Sequence, residues 1–339
     1  MGRAADGSGS DATIYDVAKV AGVSPSTVSR AFSRPGRVSA QTAEKIRKVA
    51  DELGYRSREI THPTSRNTSK ILGLAVTDIT NPFNFRVIRG CQAAASEAGF
   101  LVSLTDSQES EKLEREMLHR ALPLLDGLVI ASSRLSDTEL RTIAKSLPVV
   151  VLNRRVAGLQ SFVPDMAAGI RRAAEHLLTF GHRNITYLAG PEASWADGVR
   201  WRTVRDAARD LGFTEHRVGP FAPTIAGGRA AGEVIAARRL KAVICFNDLM
   251  AIGLMRALSD RGLSVPGDVS VIGFDNIFAS AIVAPGLTTV AAPLTMLGDA
   301  AIRYVISQLG PSKQASSGPV TVPVRLVVRA STGPVSAGR

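Results

Sequence analysis

Cysteine and aromatic residues are scarce in this sequence. Its 339 residues include 2 cysteines, 2 tryptophans and 4 tyrosines. Cys91 and Cys245 each sit in an apolar setting, with no CxxC motif and no histidine-rich partner. This pattern favours buried, reduced thiols over a disulfide or a metal site. We therefore expect neither a metal nor a disulfide framework to stabilise the fold.

Long apolar runs and the motifs of common enzymes are also missing. No run approaches the roughly 20 residues of a membrane-spanning helix, so no membrane partner is expected. The start, MGRAADGSGSDAT, lacks the apolar core of a signal peptide, which predicts a disordered tail over residues 1–11 and a cytoplasmic protein. No GxxxxGKS/T, GxSxG or HExxH motif is present, which argues against an enzyme and predicts no cofactor.

Positive charge, in contrast, is in excess. The chain has 41 Lys+Arg against 30 Asp+Glu, a formal net charge of +11, which suits a polyanionic partner such as nucleic acid. Residues 1–66 hold 11 Lys+Arg and 7 Asp+Glu, so only part of the excess lies there. Charge alone therefore does not locate a DNA-binding surface.

The stretch Ile14–Arg30, IYDVAKVAGVSPSTVSR, predicts two short helices around a turn. Gly22 ends the first helix, because glycine tolerates positive φ. Ser24 suits the N-cap of the second helix, and Val28 is expected to point inward. The predicted apolar face of the first helix consists of Val17, Ala18, Val20 and Ala21. Such a helix-turn-helix places its second helix in the DNA major groove, where Arg30 can reach guanine or phosphate.

A third helix is predicted over residues 40–53, with Ser39 as its cap. Its apolar residues recur at helical spacing and are expected to close a small core over the first two helices. These residues are Ile46, Val49, Ala50 and Leu53.

From Ile71 onward, apolar strands alternate with helices. Strands are predicted at 71–78, 100–106, 127–132, 148–153, 185–190, 241–246, 269–274 and 321–328. Helices are predicted at 83–98, 109–122, 137–146, 166–180, 196–211, 227–239, 248–261 and 294–309. Continuously apolar strands between helices indicate parallel sheets covered on both faces. The pattern repeats after Phe162, which predicts two α/β lobes around a cleft.

Polar side chains directly after the predicted strands are candidates for a ligand site, because ligands bind beyond the carboxyl ends of parallel strands. Aromatic residues lie among them, as a polyhydroxylated ligand requires. The candidates after strands are Asp78, Asn81, Phe83, Asn84, Asn153, Arg154, Asn247, Asp248, Asp275 and Asn276, with Arg200, Trp195 and Trp201 in a longer stretch. Two alternatives stay open: Asn247 and Asp275 as caps of the following helices, and the tryptophans as core residues.

These motifs resemble the LacI family of bacterial transcriptional regulators. Thr13–Arg30, Val38-Ser39 and Glu52-Leu53-Gly54-Tyr55 match the family's headpiece in order and spacing. Further along, TDITNPF, GHRNITYLAGP, FNDLMAIGLMRAL, GLSVPGDVSVIGFDN and PGLTTV are similar to its effector-domain motifs. The resemblance implies a small all-α helix-turn-helix headpiece followed by a two-lobed α/β, periplasmic-binding-protein-like domain with parallel sheets.

The resemblance also implies a domain organisation and a function. The headpiece would cover 12–57, the hinge linker 58–70 and the effector-binding and dimerisation domain 71–339. One lobe would comprise about 71–161 and 294–320, the other about 162–293 and 321–332. The implied protein is a homodimeric transcriptional regulator, a repressor by the commoner family behaviour. It would bind a near-palindromic operator in double-stranded DNA and respond to a small-molecule effector such as a sugar or sugar derivative.

Individual residues carry over by their match to the family motifs. The implied DNA-contacting residues are Thr13, Tyr15, Ser24, Pro25, Ser26, Thr27, Ser29, Arg30, Ser33, Arg37, Ser39, Thr42, Tyr55 and Thr64. The implied effector-binding residues are Phe83, Asn84, Asn153, Trp195, Arg200, Phe221, Asn247 and Asp275. Asn84 and Asn153 depart from the family pattern, which commonly has an aromatic residue and an aspartate there.

The hinge departs from the family pattern too. A gapless alignment places Thr64 where the family has a leucine that wedges into the minor groove, and Pro63 directly before it. Threonine is a poor wedge and an interior proline opposes a helix, so a weaker operator kink or an altered hinge is expected. A transporter's solute-binding protein is the main competing interpretation, but it would need an export signal and no headpiece.

Overall fold

The computed structural model describes residues 13–33, 37–53, 55, 69–310 and 318–335. The chain divides into two compact units, Met1–Asn67 and Thr68–Arg339. The predicted tail 1–11 and nearly all of the predicted hinge 58–70 lie outside the described residues. Within the described residues, no helix has both the length and the apolar character needed to cross a membrane.

The first unit contains three helices, α1 (Ile14–Ala21), α2 (Pro25–Ser33) and α3 (Ala40–Glu52). Gly22, with φ of 67°, follows α1 and turns the chain toward α2. The Ser39 hydroxyl accepts a hydrogen bond of 3.3 Å from the Thr42 amide and so caps α3, as its sequence predicts.

The three helices bury one small core. It consists of Val17, Ala18, Ala21, Val28, Ala31, Ala43, Ile46, Val49 and Ala50. Two sequence predictions were wrong here, since Val20 is 56% exposed and Leu53 is 37% exposed. Val20 lies off the stripe formed by Val17, Ala18 and Ala21, and Leu53 lies where the chain has already left α3.

The second unit is built on two six-stranded sheets. In the first sheet the order is β11-β5-β4-β3-β1-β2, and in the second it is β12-β10-β9-β8-β6-β7. The first sheet contains β1 (Ile71–Val76), β2 (Leu101–Asp106), β3 (Gly127–Ala131), β4 (Val149–Leu152), β5 (Gln160–Pro164) and β11 (Val320–Val322). The second contains β6 (Asn184–Leu188), β7 (Thr214–Val218), β8 (Ala242–Cys245), β9 (Ser270–Phe274), β10 (Thr288–Ala291) and β12 (Arg325–Val327). Neighbouring strands run parallel except for the antiparallel pair β10–β12.

Nine described helices connect these strands. They are α4 (Pro82–Glu97), α5 (Glu111–Ala121), α6 (Asp137–Ile143), α7 (Met166–Thr179), α8 (Trp195–Leu211), α9 (Ile225–Ala237), α10 (Asp248–Ser259), α11 (Ala279–Ile282) and α12 (Leu294–Ser307). Every residue of β3 and β4 is buried, as expected for parallel strands covered on both faces. The predicted fold class, a helical headpiece followed by a two-lobed parallel α/β domain, is confirmed.

Three strands, β5, β7 and β10, were not predicted from the sequence. β7 has the sequence TEHRV and is largely exposed at the edge of the second sheet, so it lacks the apolar run that marked the others. β5 and β10 are short and contain Gln160, Ser161, Thr288 and Thr289, which are buried without being apolar. A hydrophobicity pattern does not detect strands of this kind.

The chain passes between the two sheets three times in the described residues. It leaves the first sheet after β5, returns through α12, which packs on α4, β3 and β4, and leaves again between β11 and β12. The predicted lobe boundary at residue 161 therefore falls inside β5. The predicted closing strand 321–328 is two strands, one in each sheet, because the chain crosses at Pro323-Val324.

Helices α4 and α12 approach closely because two glycines lie at their contact. A Cβ atom on Gly90 would lie 2.0 Å from the Thr295 carbonyl oxygen, and one on Gly298 would lie 2.2 Å from the Val87 carbonyl oxygen. Larger residues at these two positions would force the helix backbones apart.

Candidate functional site

Helix α2 has one buried and one polar face. Val28 is fully buried, whereas Ser26, Ser29 and Arg30 are exposed. The Ser24 hydroxyl accepts a hydrogen bond of 3.2 Å from the Thr27 amide and so caps the helix. An Arg30 Nη2 lies 3.4 Å from the Ser26 hydroxyl, which leaves its guanidinium at the surface.

The other predicted DNA-contacting residues differ in exposure. Exposed residues are Thr13, Tyr15, Ser24, Pro25, Arg37 and Ser39, and partly buried ones are Thr27, Thr42 and Tyr55. The Tyr55 ring packs 6.1 Å from that of Phe32, measured between centroids. Ser33 is the last residue of α2; its side chain and Thr64 lie outside the described part of the chain.

In the second unit, Arg200 on α8 is a buried arginine among aromatic rings. Arg200 is 2% exposed, and its Cζ lies 3.7 Å from the Phe274 ring centroid and 4.8 Å from the Phe246 ring centroid. An Nη1–H donates to the Phe246 carbonyl oxygen, and Nη2 lies 3.7 Å from an Asp275 carboxylate oxygen. Arg200 and Asp275, far apart in sequence, therefore form a buried ion pair beyond the ends of β8 and β9.

Asp275 combines burial with an unusual backbone. Its φ is 111°, in a region that favours glycine, and it does not cap the short helix α11. Burial raises the pKa of its carboxyl group well above the usual range, and nearby Asp248 adds to this, while the Arg200 charge opposes both. Side chains in such a setting are common at ligand-binding sites.

Asn247 is engaged by the protein itself. Its Oδ1 accepts from the Met250 amide at 2.9 Å and caps α10, and its Nδ2 donates to the Pro223 carbonyl oxygen at 2.9 Å. These contacts match the alternative, left open by the sequence, that Asn247 caps the following helix. The next residue, Asp248, is fully buried and accepts three hydrogen bonds, from the Ile277 amide and the Ser280 and Thr289 hydroxyls.

A small cleft lies between the two lobes. One lobe contributes the ends of β3 and β4, and the other contributes the start of α8. The lining residues are Ser132, Ser133, Arg134, Asn153, Arg154, Ser194, Trp195 and Ala196. Ala196 and Arg200 are four residues apart on α8 and share one helix face, so the Arg200–Asp275 pair lies one turn from the cleft.

Asn153 has an unused polar atom at this cleft. It is 9% exposed, its φ is 59°, and its Nδ2 donates to the Ser132 hydroxyl at 2.9 Å. Its Oδ1 has no hydrogen-bond partner among the described residues. Buried polar atoms are rarely left unpaired, so this atom is available to a ligand. Trp195, which is partly buried, lines the cleft, whereas Trp201 stacks on Tyr187 at 6.1 Å.

The remaining predicted effector residues do not line this cleft. Phe83 is 8% exposed and belongs to the core of the first lobe. The Asn84 Nδ2 donates to the Asp78 carbonyl oxygen at 2.7 Å, which stabilises the turn before α4. Phe221 is partly buried against the core of the second lobe, and its amide donates to the Ala189 carbonyl oxygen.

The loop Ser132–Arg134 was not among the residues predicted from the sequence, although it supplies three of the residues that line the interlobe cleft. The same signal that marked the other candidates was present, because Ser132 and Ser133 directly follow β3. This loop is held by Glu114 of α5, a 3% exposed carboxylate that accepts from the Ser133 hydroxyl at 2.5 Å and the Arg134 amide at 2.9 Å. Burial raises the pKa of Glu114.

Two family models match the chain. The model of bacterial regulatory proteins of the lacI family covers residues 13–57, the three-helix headpiece. The model of the periplasmic binding protein-like domain covers residues 174–332, which includes most of the second lobe.

Solved structures of similar fold include regulators with their ligands. The lac repressor dimer bound to operator and the anti-inducer ONPF is 26% identical, with a TM-score of 0.71 over 96% of this chain and 100% of that one. A LacI family transcriptional regulator from Enterococcus faecium with bound ribose is 29% identical, with a TM-score of 0.70 over 78% of this chain and 100% of that one.

Curated relatives extend the match to nearly the whole chain. The transcriptional regulator DegA of Bacillus subtilis is 30% identical over 96% of this chain and 99% of its own length. The transcriptional repressor CytR of Escherichia coli is 31% identical over 95% and 96% of the two chains. With its helix-turn-helix headpiece and two-lobed α/β body, the chain belongs to the LacI family of bacterial DNA-binding transcriptional regulators.

Proposed function

We propose that a homodimer of this chain represses transcription in the cytoplasm by binding a near-palindromic operator, and that a small polar metabolite in the interlobe cleft changes its operator affinity. The observation that carries the effector part is the cleft itself, which is lined by both lobes and contains the unpaired Asn153 Oδ1. The regulator part rests on the headpiece, and no catalytic role is proposed for any residue.

The exposed face of α2 supports the DNA-binding proposal. Ser26, Ser29 and Arg30 are proposed to read base edges from the major groove, with Thr27 at the edge of this face. The remaining candidates are proposed to contact the phosphate backbone. They are Thr13, Tyr15, Ser24, Pro25, Ser33, Arg37, Ser39, Thr42 and Tyr55, with Thr64 in the minor groove.

A dimer follows from the operator's symmetry. Two headpieces read half-sites about 10 bp apart, so operator and protein share a two-fold axis. The dimer surface is proposed on α4 and on residues 277–283, where large apolar side chains reach the surface. Phe85 is 47% exposed, Phe278 60% and Ile282 73%. The lac repressor structure contains a dimer bound to operator.

The cleft favours a small polyhydroxylated ligand. Residues from both lobes line it, so a bound ligand would contact both lobes at once. Trp195 provides a planar surface, while Ser132, Ser194 and Asn153 provide hydrogen-bonding groups. Ribose, a polyhydroxylated compound, is bound in the similar Enterococcus faecium structure. Arg200 and Asp275 are proposed to bind its hydroxyls next to the cleft.

The proposed control mechanism is thermodynamic linkage. A ligand that contacts both lobes stabilises one lobe arrangement over another, and that arrangement sets the dimer geometry with which two headpieces meet DNA. The ligand shifts operator affinity only as far as its own affinity differs between the two arrangements.

The DNA-binding part is tested with Arg30→Ala. Titrations on an operator selected from randomised duplexes and on random DNA should both show affinity falling steeply as salt rises. If Arg30 reads a base, the variant loses about 1–3 kcal/mol on the operator and little on random DNA. Arg205→Ala, an exposed change in the second unit, is the matched control and should alter neither affinity. Salt-independent binding of random DNA by the wild type would contradict the proposal.

The effector part is tested by a thermal-shift panel of D-ribose, D-xylulose, cellobiose, D-gluconate and adenosine. A ligand at 100 times its Kd stabilises the folded state by about 2.7 kcal/mol, which raises the Tm by about 5–10 °C for a domain of this size. We expect at least one polyhydroxylated compound of the panel to give this shift and to change operator affinity. A compound that raises the Tm without changing operator affinity would contradict the proposed response.

A further inference from the structure

The turn that carries Asp275 has a backbone conformation that needs external support. Asp275 has φ of 111° and Asn276 has φ of 52°. Residues other than glycine rarely adopt positive φ, and such a turn persists only when surrounding contacts hold it in place. The turn lies between β9 and α11, and it determines whether the Asp275 carboxylate meets Arg200.

One support is the buried carboxylate of Asp248. One of its oxygens accepts from the Ile277 amide at 2.9 Å and the Ser280 hydroxyl at 2.6 Å, directly after the turn. The other accepts from the Thr289 hydroxyl at 2.6 Å, and the Thr289 oxygen in turn accepts from the Asn276 amide at 3.3 Å. Asp248 thus reaches the turn both directly and through Thr289.

The second support comes from the C-terminal segment. The Arg329 guanidinium donates to the Asn276 Oδ1 at 2.7 Å and to the Leu287 carbonyl oxygen at 2.5 Å. Its own amide donates to the Thr288 hydroxyl at 2.9 Å, which fixes the segment beside β10. Neither Arg329 nor Asp248 lines the interlobe cleft.

We propose that Asp248 and Arg329 are positioning residues of the effector site, which hold the Asp275-Asn276 turn so that Asp275 faces Arg200. The relevance of this turn to an effector rests on the proposed function above. Asp248 acts from inside the lobe and Arg329 from its surface, so the turn is held from two sides. Hydrogen bonds to charged groups are stronger than neutral ones, which suits them to stabilise a strained backbone.

The test uses the full-length, ligand-free protein and its variants Asp248→Asn and Arg329→Gln. Hydrogen exchange of peptides within 275–282 should become about tenfold faster in each variant, because each loses a charged hydrogen bond that holds the turn. Exchange over 184–188, in β6, should stay unchanged. Arg329→Lys, which keeps one charged donor, should fall between wild type and Arg329→Gln. Arg325→Gln, an exposed change in the same segment, is the matched control.

A crystal structure of Arg329→Gln gives the geometric readout. We expect the Arg200–Asp275 separation to exceed the 3.7 Å of the wild type and the φ of Asp275 to leave the positive region. An unchanged turn with unchanged exchange would overturn the proposal, and so would equal acceleration throughout the lobe, which would indicate a general loss of stability. If Asp248→Asn does not fold, Thr289→Val removes the linking hydroxyl and replaces it in the test.

Binding of D-ribose separates this inference from the proposed function. Where the wild type binds D-ribose, Arg329→Gln should weaken that binding about tenfold and Arg325→Gln should not. Unweakened binding in Arg329→Gln would overturn the positioning role. If the wild type binds no compound of the panel, the proposed effector response fails, while the exchange and crystal results still decide whether Asp248 and Arg329 hold the turn.

Discussion

Arg200→Ala is expected to abolish the effector response while leaving operator binding by the ligand-free protein intact. The Arg200 side chain pairs with Asp275, donates to the Phe246 carbonyl oxygen and stacks against Phe274. Alanine removes all three contacts and leaves a void beside the cleft. The response is measured as the change in operator affinity on adding the compound identified in the thermal-shift panel.

Arg200→Ala should also be less stable than the wild type, by an amount that depends on pH. Removing one partner of a buried ion pair costs about 3–5 kcal/mol when the other charge stays buried. In Arg200→Ala, this cost falls when the Asp275 carboxyl group binds a proton and becomes neutral. Burial favours the protonated form, because it raises the pKa of Asp275. A folded-state pKa above the unfolded value makes the folded state more stable at low pH, and this stabilisation is lost as the pH rises through the folded pKa. The Tm deficit of Arg200→Ala should therefore be smaller at pH 5 than at pH 8.

Two further variants test whether the loss of response is specific to the Arg200 guanidinium. Arg202→Ala changes an exposed arginine on the same helix, whose Nε donates within α8 to the Gly198 carbonyl oxygen, and should leave the response unchanged. Arg200→Lys keeps the charge but loses the planar guanidinium, so we expect most of the response to be lost. An intact response in Arg200→Ala would remove Arg200 from the effector site.

Gly90→Ala should destabilise the first lobe more than any surface change. Its added Cβ would lie 2.0 Å from the Thr295 carbonyl oxygen, a backbone atom of α12 that cannot rotate away. Inserting a methyl group into a well-packed contact costs about 1–3 kcal/mol and occasionally more. Because the obstacle is backbone, we expect about 3 kcal/mol, a fall in Tm of about 6–12 °C by calorimetry.

Gly198→Ala is the matched control for this prediction. Gly198 lies inside α8, and a Cβ there would meet nothing within 4 Å. The same substitution should therefore stabilise the protein by about 0.5–1 kcal/mol, through the lower backbone entropy of the unfolded chain. If both variants lower the Tm alike, the close α4–α12 contact does not explain the effect of Gly90→Ala.

Much of the fold could be predicted from the local sequence. The apolar runs at 127–132 and 148–153 correspond to β3 and β4, because a strand buried on both faces needs apolar residues throughout. Gly22, Ser24 and Ser39 marked helix boundaries through contacts made within a few residues. The polar edge strand β7 was not readable, since its place in the sheet depends on pairing with β6 and not on burial.

The candidate site was readable only in part. The rule that ligands bind after parallel strands marked Asn153 and Asp275 as candidates, Arg200 was a candidate in the stretch after a predicted strand, and the family resemblance implied an effector-binding role for all three. The sequence also offered the alternative that Asn247 caps the following helix, which its contact with the Met250 amide matches, but it did not reveal that Glu114 holds the loop Ser132–Arg134. The Glu114 contact joins α5 to the loop after β3, and a local sequence pattern does not show which separate elements meet.

The sequence by itself determined the family, the helical headpiece and most of the strands and helices of the second unit. These depend on local preferences, caps and periodic burial, which act over a few residues along the chain. Only the tertiary structure decided which polar groups meet at the cleft, that Arg200 pairs with Asp275, and that Asp248 and Arg329 hold the turn between them. Such contacts depend on how two sheets and a chain that crosses between them three times are packed in space.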